Sequence, residues 1–162
     1  TDLKTAGNLI YVVGYTFEEL GASSYLRSHE LIGNRVPTVD TKKANRLFMC
    51  LSKAISKGLV SSCHDCSEGG IGVACSEMAF SGGFGMRIDL RKIPLGECIT
   101  RSDYVFFSES NSRFIVEVPK RNRKNFEKIL SGVPFGLIGT TTRDKTFDVM
   151  GLNGKIVLSV KL

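Results

Sequence analysis

A short polar run that ends in glycine, Ser67-Glu68-Gly69-Gly70-Ile71, has the residue types of an anion-binding loop. It follows His64 and Asp65 and leads into apolar residues spaced as on one face of a helix. The first backbone N–H groups of a helix lack partners, and the helix dipole adds positive charge there. Glycine lets an anion approach the backbone, and the Ser67 hydroxyl can cap the helix or donate to the anion. These residues therefore allow a phosphate site, but by themselves they favour the simpler structure, a capped core helix that begins with glycines.

The elements that must position this loop follow from the hydrophobic pattern. The apolar run 9–13 predicts a buried strand, and Asp40 and Gly58 predict the two ends of a helix that precedes the loop. Pro119 predicts the start of a second, basic helix, and Asn153-Gly154 predicts a two-residue turn in a closing hairpin. The pattern indicates one α+β domain over residues 1–162, with a mixed β-sheet packed by helices. Further strands are predicted at 86–90, 114–118, 135–140, 147–150 and 155–160.

The composition is that of an ordinary globular protein, with 42% hydrophobic and 23% charged residues. No apolar run approaches the roughly 18 residues of a membrane span, and no signal-peptide layout is present, so we expect a cytoplasmic protein without a membrane partner. The net charge is +6, but the dense basic run at 120–124 lacks interleaved aromatic residues. We therefore expect a solvated helix face and no nucleic-acid partner, although a basic domain suits an anionic substrate or an acidic partner surface.

The five cysteines form no disulfide framework, which suits a reducing compartment. Cys63 and Cys66 flank His64, but a structural zinc site needs four ligands, and the other histidine, His29, lies far upstream. No nucleophile is accompanied by a base and an orienting group, and no nucleotide-binding glycine motif is present. We therefore expect no metal site and no catalytic residue in this chain.

Three segments carry a resemblance to a known family. His64-Asp65-x-Ser67-Glu68-Gly69-Gly70-Ile71, followed by Glu77-Met78-Ala79, resembles the signature of the C-terminal domains of aminoimidazole-ribonucleotide-synthetase-like enzymes. Its Ser-Glu-Gly-Gly version is most similar to the phosphoribosylformylglycinamidine synthase family. Phe107-x-Glu109-Ser110-x-Ser112-Arg113-Phe114 resembles a segment in the final domain of the same family. Glu19-Leu20-Gly21 resembles the start of a Glu-Leu-Gly-Gly-Ser-Glu-Tyr element, but Ala22 replaces a glycine and Ser24 an acidic residue.

The resemblance implies that the chain is the C-terminal fragment of a larger synthetase. Such an enzyme uses ATP to activate the formamide oxygen of formylglycinamide ribonucleotide, and glutamine-derived ammonia then replaces that oxygen to give the amidine, ADP and phosphate. The implied partners are an upstream ATP-binding domain, a glutaminase subunit or domain, and the ribonucleotide. ATP and Mg²⁺ are implied to bind mainly outside this domain, and the isolated chain is expected to lack synthetase activity.

The same resemblance implies that Ser67, Glu68, Gly69, Gly70 and Ile71 hold the substrate phosphate. His64 and Asp65 are implied to shape the loop or to make polar contacts.

Glu109 and Arg113 are expected to form an internal ion pair or turn hydrogen bonds, with Arg113 presenting its guanidinium to a phosphate or a neighbouring domain as the alternative. Substitution of Gly70 is expected to impair ribonucleotide binding while the fold survives. Two other functions stay open: a non-catalytic assembly module, and a superfamily relative that acts in hydrogenase maturation or selenophosphate synthesis.

Overall fold

Seven strands form one sheet in a computed structural model that describes residues 1–162. Across the sheet the strands lie in the order β2-β4-β1-β5-β3-β6-β7, and every neighbouring pair is antiparallel except the parallel pair β3–β6. The predicted α+β class with a mixed sheet is confirmed. The strands are β1 (Leu9–Val13), β2 (Ser62–Asp65), β3 (Gly85–Asp89), β4 (Phe114–Val118), β5 (Phe135–Thr142), β6 (Thr146–Met150) and β7 (Ile156–Lys161).

Five helices accompany the sheet, and none is long and apolar enough to cross a membrane. The helix predicted from Asp40 and Gly58 is confirmed: the Asp40 carboxylate accepts the Lys43 N–H at 3.1 Å, and Gly58 follows the helix with a φ of 67°. The helices are α1 (Ser24–Ser28), α2 (Thr41–Ser56), α3 (Gly70–Gly82), α4 (Ser102–Phe107) and α5 (Arg123–Ile129).

The alternation of β1 divides the core between the two faces of the sheet. Ile10 and Val12 belong to a cluster that includes side chains of α3 and α4, and Leu9, Tyr11 and Val13 belong to one that includes side chains of α2 and α5. All five residues of β1 are buried, because the strand lies in the sheet interior with helices over both faces. The central helix α3 is therefore held against one face, and its N-terminus lies at the end of β2.

Local sequence did not predict the structure of two segments. The apolar run 103–107 carries no decisive period, and it forms the helix α4 because Val105 and Phe106 pack into the α3 side of the core. The predicted two-residue turn at Asn153-Gly154 is wrong, since residues 151–155 all lie between β6 and β7. The Gly151 N–H donates to the Lys155 carbonyl at 2.8 Å, which closes a longer loop.

The N-terminal segment is fastened to the sheet by a buried carboxylate on β4. Glu117 accepts the backbone N–H groups of Lys4 and Thr5 at 2.9 and 3.1 Å and the Ser62 hydroxyl at 3.1 Å. Leu3 is buried beside the C-terminal end of α3, where its N–H donates to the Met78 carbonyl at 3.0 Å. Residues 3–5 therefore contact both α3 and β4.

Candidate functional site

The predicted loop joins β2 to α3, as its sequence indicated, but its capping differs. Gly69 is the N-cap of α3 with a φ of 74°, and Gly70 follows at 61°. Both values lie in the left-handed region that favours glycine. The Ser67 hydroxyl donates to the Asp65 carboxylate at 2.5 Å, so Ser67 does not take the capping role that was one of its two alternatives.

Close packing explains the two glycines. A Cβ atom on Gly70 would lie 2.1 Å from the Ser108 carbonyl oxygen, and one on Gly69 would lie 2.2 Å from a methyl carbon of Val73. The start of α3 thus contacts the backbone that follows α4, with no space for a side chain. This contact argues against the expectation that the fold tolerates substitution of Gly70.

The first N–H groups of α3 already have partners within the chain. The Gly69 N–H donates to the Glu109 carboxylate at 2.9 Å, and the Gly70 N–H donates to the Ser67 carbonyl at 3.0 Å. The same Glu109 oxygen accepts the Ser24 N–H at the start of α1, also at 2.9 Å. Of the three N–H groups predicted to bind phosphate, only that of Ile71 has no acceptor in the protein.

A cavity of about 360 Å³ opens beside the loop, on the outer side of α3. His64 bridges its wall, with Nε2 2.9 Å from the Glu77 carboxylate and Nδ1 2.8 Å from the Asp65 carbonyl oxygen. The hydrogen bond from Ser67 lowers the pKa of Asp65, so this carboxylate stays ionised at neutral pH. With Glu68 also in the lining, hydrogen-bond acceptors outnumber cationic groups in this cavity.

A second cavity, also of about 360 Å³, lies on the other side of the loop and is bounded by residues 109–114. Arg113 is 1% exposed. Its guanidinium donates to the carbonyls of Ser110 and Ser108 at 2.8 and 2.5 Å and to the Thr16 hydroxyl at 2.8 Å. Burial lowers the pKa of Arg113, although an arginine retains its charge. The expected turn hydrogen bonds are present, the expected ion pair with Glu109 is not, and the buried guanidinium does not reach an external phosphate.

The sequence profile of the family described as "AIR synthase related protein, C-terminal domain" matches residues 5–151. The chain belongs to this family. The match spans the sheet through β6 and includes the loop, α3 and the buried Arg113.

Curated relatives of this AIR synthase-related domain include subunits of one enzyme. The phosphoribosylformylglycinamidine synthase subunit PurL of Methanothermobacter thermautotrophicus is 42% identical over 145 residues, which is 86% of this chain and 20% of the relative. The PurL subunit of Deinococcus radiodurans is 32% identical over 167 residues, covering 99% of this chain and 22% of the relative. The chain therefore spans about a fifth of the length of the curated relatives it matches.

Solved structures show the same fold for the AIR synthase-related domain. Thermotoga maritima PurL complexed with FGAR superposes with a TM-score of 0.86 at 21% identity, covering 99% of this chain and 28% of that one. Escherichia coli HypE, a hydrogenase maturation protein, gives a TM-score of 0.70 at 18% identity, covering 99% of this chain and 50% of that one. At these sequence identities, the superpositions show a shared fold and nothing beyond the fold.

The two cysteines of the AIR synthase-related domain that flank His64 are directed to different parts of the core. Cys63 packs with the α2 and α5 cluster, and Cys66 belongs to the α3 and α4 cluster. Burial raises the pKa of each thiol to about 11, which leaves little thiolate at neutral pH.

One role in the AIR synthase-related domain was missed from the sequence. Glu109 was expected to form an ion pair with Arg113, four residues away, or turn hydrogen bonds. Its carboxylate instead accepts the N–H groups of Ser24, the first residue of α1, and of Gly69, the N-cap of α3. The sequence shows only that Glu109 lies in a polar run. Such a run does not reveal which N–H groups donate to the Glu109 carboxylate. Glu109 is thus the group that joins the resemblance segments around residues 19–25, 64–71 and 107–114.

Proposed function

We propose that this chain is the substrate-binding C-terminal domain of an ATP-dependent carbon–nitrogen ligase of purine biosynthesis. The complete protein converts formylglycinamide ribonucleotide, glutamine-derived ammonia and ATP to formylglycinamidine ribonucleotide, ADP and phosphate in the cytoplasm. Its partners are an upstream ATP-binding domain of the same polypeptide and a glutaminase. The observation that carries the proposal is the 42% identity to a PurL subunit over 86% of the chain.

The loop geometry supports separate groups of residues for the phosphate and for the ribose of the ribonucleotide. The Ile71 N–H supplies a donor for the phosphate at the positive end of α3, and Gly69 and Gly70 allow the phosphate to approach. The Ser67 hydroxyl, which donates to Asp65 in the free chain, turns to the phosphate when the ribonucleotide binds. The carboxylates of Glu68 and Asp65 accept hydrogen bonds from the ribose hydroxyls, which suits the acceptor-rich cavity. Glu109 and Arg113 hold the loop and its neighbour in place, and His64 orients the wall through Glu77.

The residues of this chain do not fit a resident metal ion, because no three His, Cys, Asp or Glu side chains are grouped as ligands. We assign no step to Mg²⁺ or ATP within this domain and propose that both bind mainly in the upstream domain. Thermotoga maritima PurL is known in complexes with ATP and with ADP and in an assembly called PurLQS, which supports a nucleotide and a multisubunit partner for the complete protein.

A chimera tests the proposal. The homologous fifth of the Methanothermobacter PurL subunit is replaced by this chain, and ATP-dependent amidine formation is measured with ammonia as nitrogen donor. We expect an active chimera. Substituting Ser67→Ala in it is expected to raise the KM for the ribonucleotide about tenfold and to leave the KM for ATP unchanged, since one hydrogen bond to a charged group is lost.

Ser81→Ala is the matched control, because it removes the same hydroxyl from an exposed position at the other end of α3. It is expected to change neither constant. A correctly folded chimera without synthetase activity argues against the proposed function. An active chimera in which Ser67→Ala and Ser81→Ala behave alike argues against the phosphate site alone.

A further inference from the structure

A cavity of about 270 Å³ lies on the other side of the 108–113 loop from Gly70. Three parts of the chain enclose it: the turn after β1, the N-terminal half of α2, and the turn at Asn111 and Ser112. Its apolar surface comes from Tyr15, Phe17 and Leu47. The proposed function does not use this cavity, and none of the motifs that resemble a phosphate loop borders it.

The cavity is lined by a buried carboxylate with one unused oxygen. Glu19 is 4% exposed, and its Oε1 atom accepts the Thr38 N–H at 3.1 Å and the Thr38 hydroxyl at 2.9 Å. Its Oε2 atom accepts no hydrogen bond from the protein. No fully buried side-chain oxygen lacks a partner, so Oε2 retains solvent contact, and Glu19 is among the residues that line this cavity.

The nearby cations are engaged elsewhere. Lys43 pairs with Asp40 at 3.2 Å, and Arg35 pairs with Glu97 at 2.8 Å. The buried guanidinium of Arg113 donates hydrogen bonds to two carbonyls and a hydroxyl, and it forms no ion pair with Glu19. Thr38 thus satisfies Oε1, whereas Oε2 has no donor in the protein, and a donor from a ligand would replace the hydration that burial has reduced.

We propose that this cavity binds a small planar cation, of the amidinium, guanidinium or aromatic amine class, whose N–H groups donate to Glu19 Oε2. The aromatic surfaces of Tyr15 and Phe17 cover the planar body of the ligand, and the side chain of Asn111 lies within reach of its edge. Thr38 holds the carboxylate from the other side through two hydrogen bonds, so the acceptor is fixed before the ligand arrives.

Three probes that share a ring and differ in their polar group test the proposal: benzamidine, benzamide and benzoate. Each is titrated into the intact 162-residue protein by calorimetry, and backbone amide shifts are followed by NMR. Benzamidine is expected to bind with a Kd of about 1 mM or tighter, with shifts at Glu19, Thr38 and Asn111. Benzamide is expected to bind at least about tenfold more weakly, and benzoate not at all, since it places a second negative charge beside Glu19.

Glu19→Gln sharpens the test because it changes charge with little change in shape. The two Thr38 donors keep the amide oxygen of the new side chain at the Oε1 position, so its NH₂ group replaces Oε2 as a donor. This variant is expected to lose benzamidine affinity about ten- to hundredfold and to bind benzamide no more weakly than the parent protein. Glu30→Gln, at an exposed position that forms no ion pair, is the matched control and is expected to leave all three affinities unchanged.

Thermal unfolding of each variant establishes that the fold is retained, and a benzamidine complex solved by crystallography gives the second readout. The amidinium is expected within hydrogen-bond distance of Glu19 in this cavity. Equal affinities for benzamidine and benzamide, an unchanged benzamidine affinity in Glu19→Gln, the absence of binding at 10-fold above the expected Kd of about 1 mM, or a complex at another place each overturn the proposal. Loss of synthetase activity in a chimera does not bear on it.

Discussion

The two ends of α3 both carry a glycine pair, and the structure uses them differently. At the N-terminal end, Gly70 lies against the Ser108 carbonyl, and side chains from three other segments converge on the loop. At the C-terminal end, Gly83 takes a left-handed φ of 67° in open space, and Gly82 packs against the backbone of Leu3. Both ends therefore make a close backbone contact, but Gly83 ends the helix in open space, whereas the N-terminal end borders the two cavities of about 360 Å³.

The largest expected effect is on stability, and it distinguishes the two ends of α3. Gly70→Ala places a Cβ atom 2.1 Å from the Ser108 carbonyl oxygen at a φ of 61°, so it combines a steric clash with backbone strain. We expect the free energy of unfolding to fall by about 3–5 kcal/mol.

Gly83→Ala is the matched variant, because its φ of 67° is similar and no atom lies within 4 Å of the new Cβ. Strain alone predicts a loss of about 1–2 kcal/mol. Urea unfolding of both variants measures the difference. Equal losses contradict the distinction between the two ends.

The buried arginine at the N-terminal end gives the next effect. Arg113→Met removes three hydrogen bonds and leaves the carbonyls of Ser108 and Ser110 without their donors. The expected loss in unfolding free energy is about 2–4 kcal/mol. Arg121→Met, at an exposed position that forms no ion pair, is expected to change stability by less than about 0.5 kcal/mol. A small effect at Arg113 indicates that water replaces the guanidinium.

The smallest expected effect is a pH-dependent contribution of Asp103 to the free energy of unfolding. Asp103, in the first turn of α4, accepts hydrogen bonds from Arg101 and from the Tyr25 hydroxyl, and Arg101 chiefly lowers the pKa of Asp103 to about 2. A carboxyl whose pKa is lowered by folding stabilises the folded state above its unfolded value near 3.8, and this stability is lost as the pH falls toward 2.

Asp103→Asn is therefore expected to remove about 1 kcal/mol at pH 6 and almost nothing at pH 2, after allowance for solvent screening. Unfolding titrations at both pH values measure it. A difference between the variant and the parent that stays constant with pH would show that Asp103 acts through packing and not through its charge.

Much of the fold follows from local sequence. The alternation in β1, the cap at Asp40 and the glycine that ends α2 each act over a few residues, so their consequences are visible in the pattern. The apolar run at 103–107 was less informative, because a run of that length fits a strand or a buried helix equally well.

The sequence by itself determined that a glycine-rich turn leads into a core helix and that polar residues cluster at 64–71 and 107–114. Only the tertiary structure decided that Glu109 accepts the Gly69 N–H, that Arg113 is buried, and that the buried Glu19 lines a cavity. The physical reason is the distance along the chain: Glu109 and Gly69 are 40 residues apart. Such a contact depends on how α3, α4 and β4 pack together, and no local period of the sequence records it.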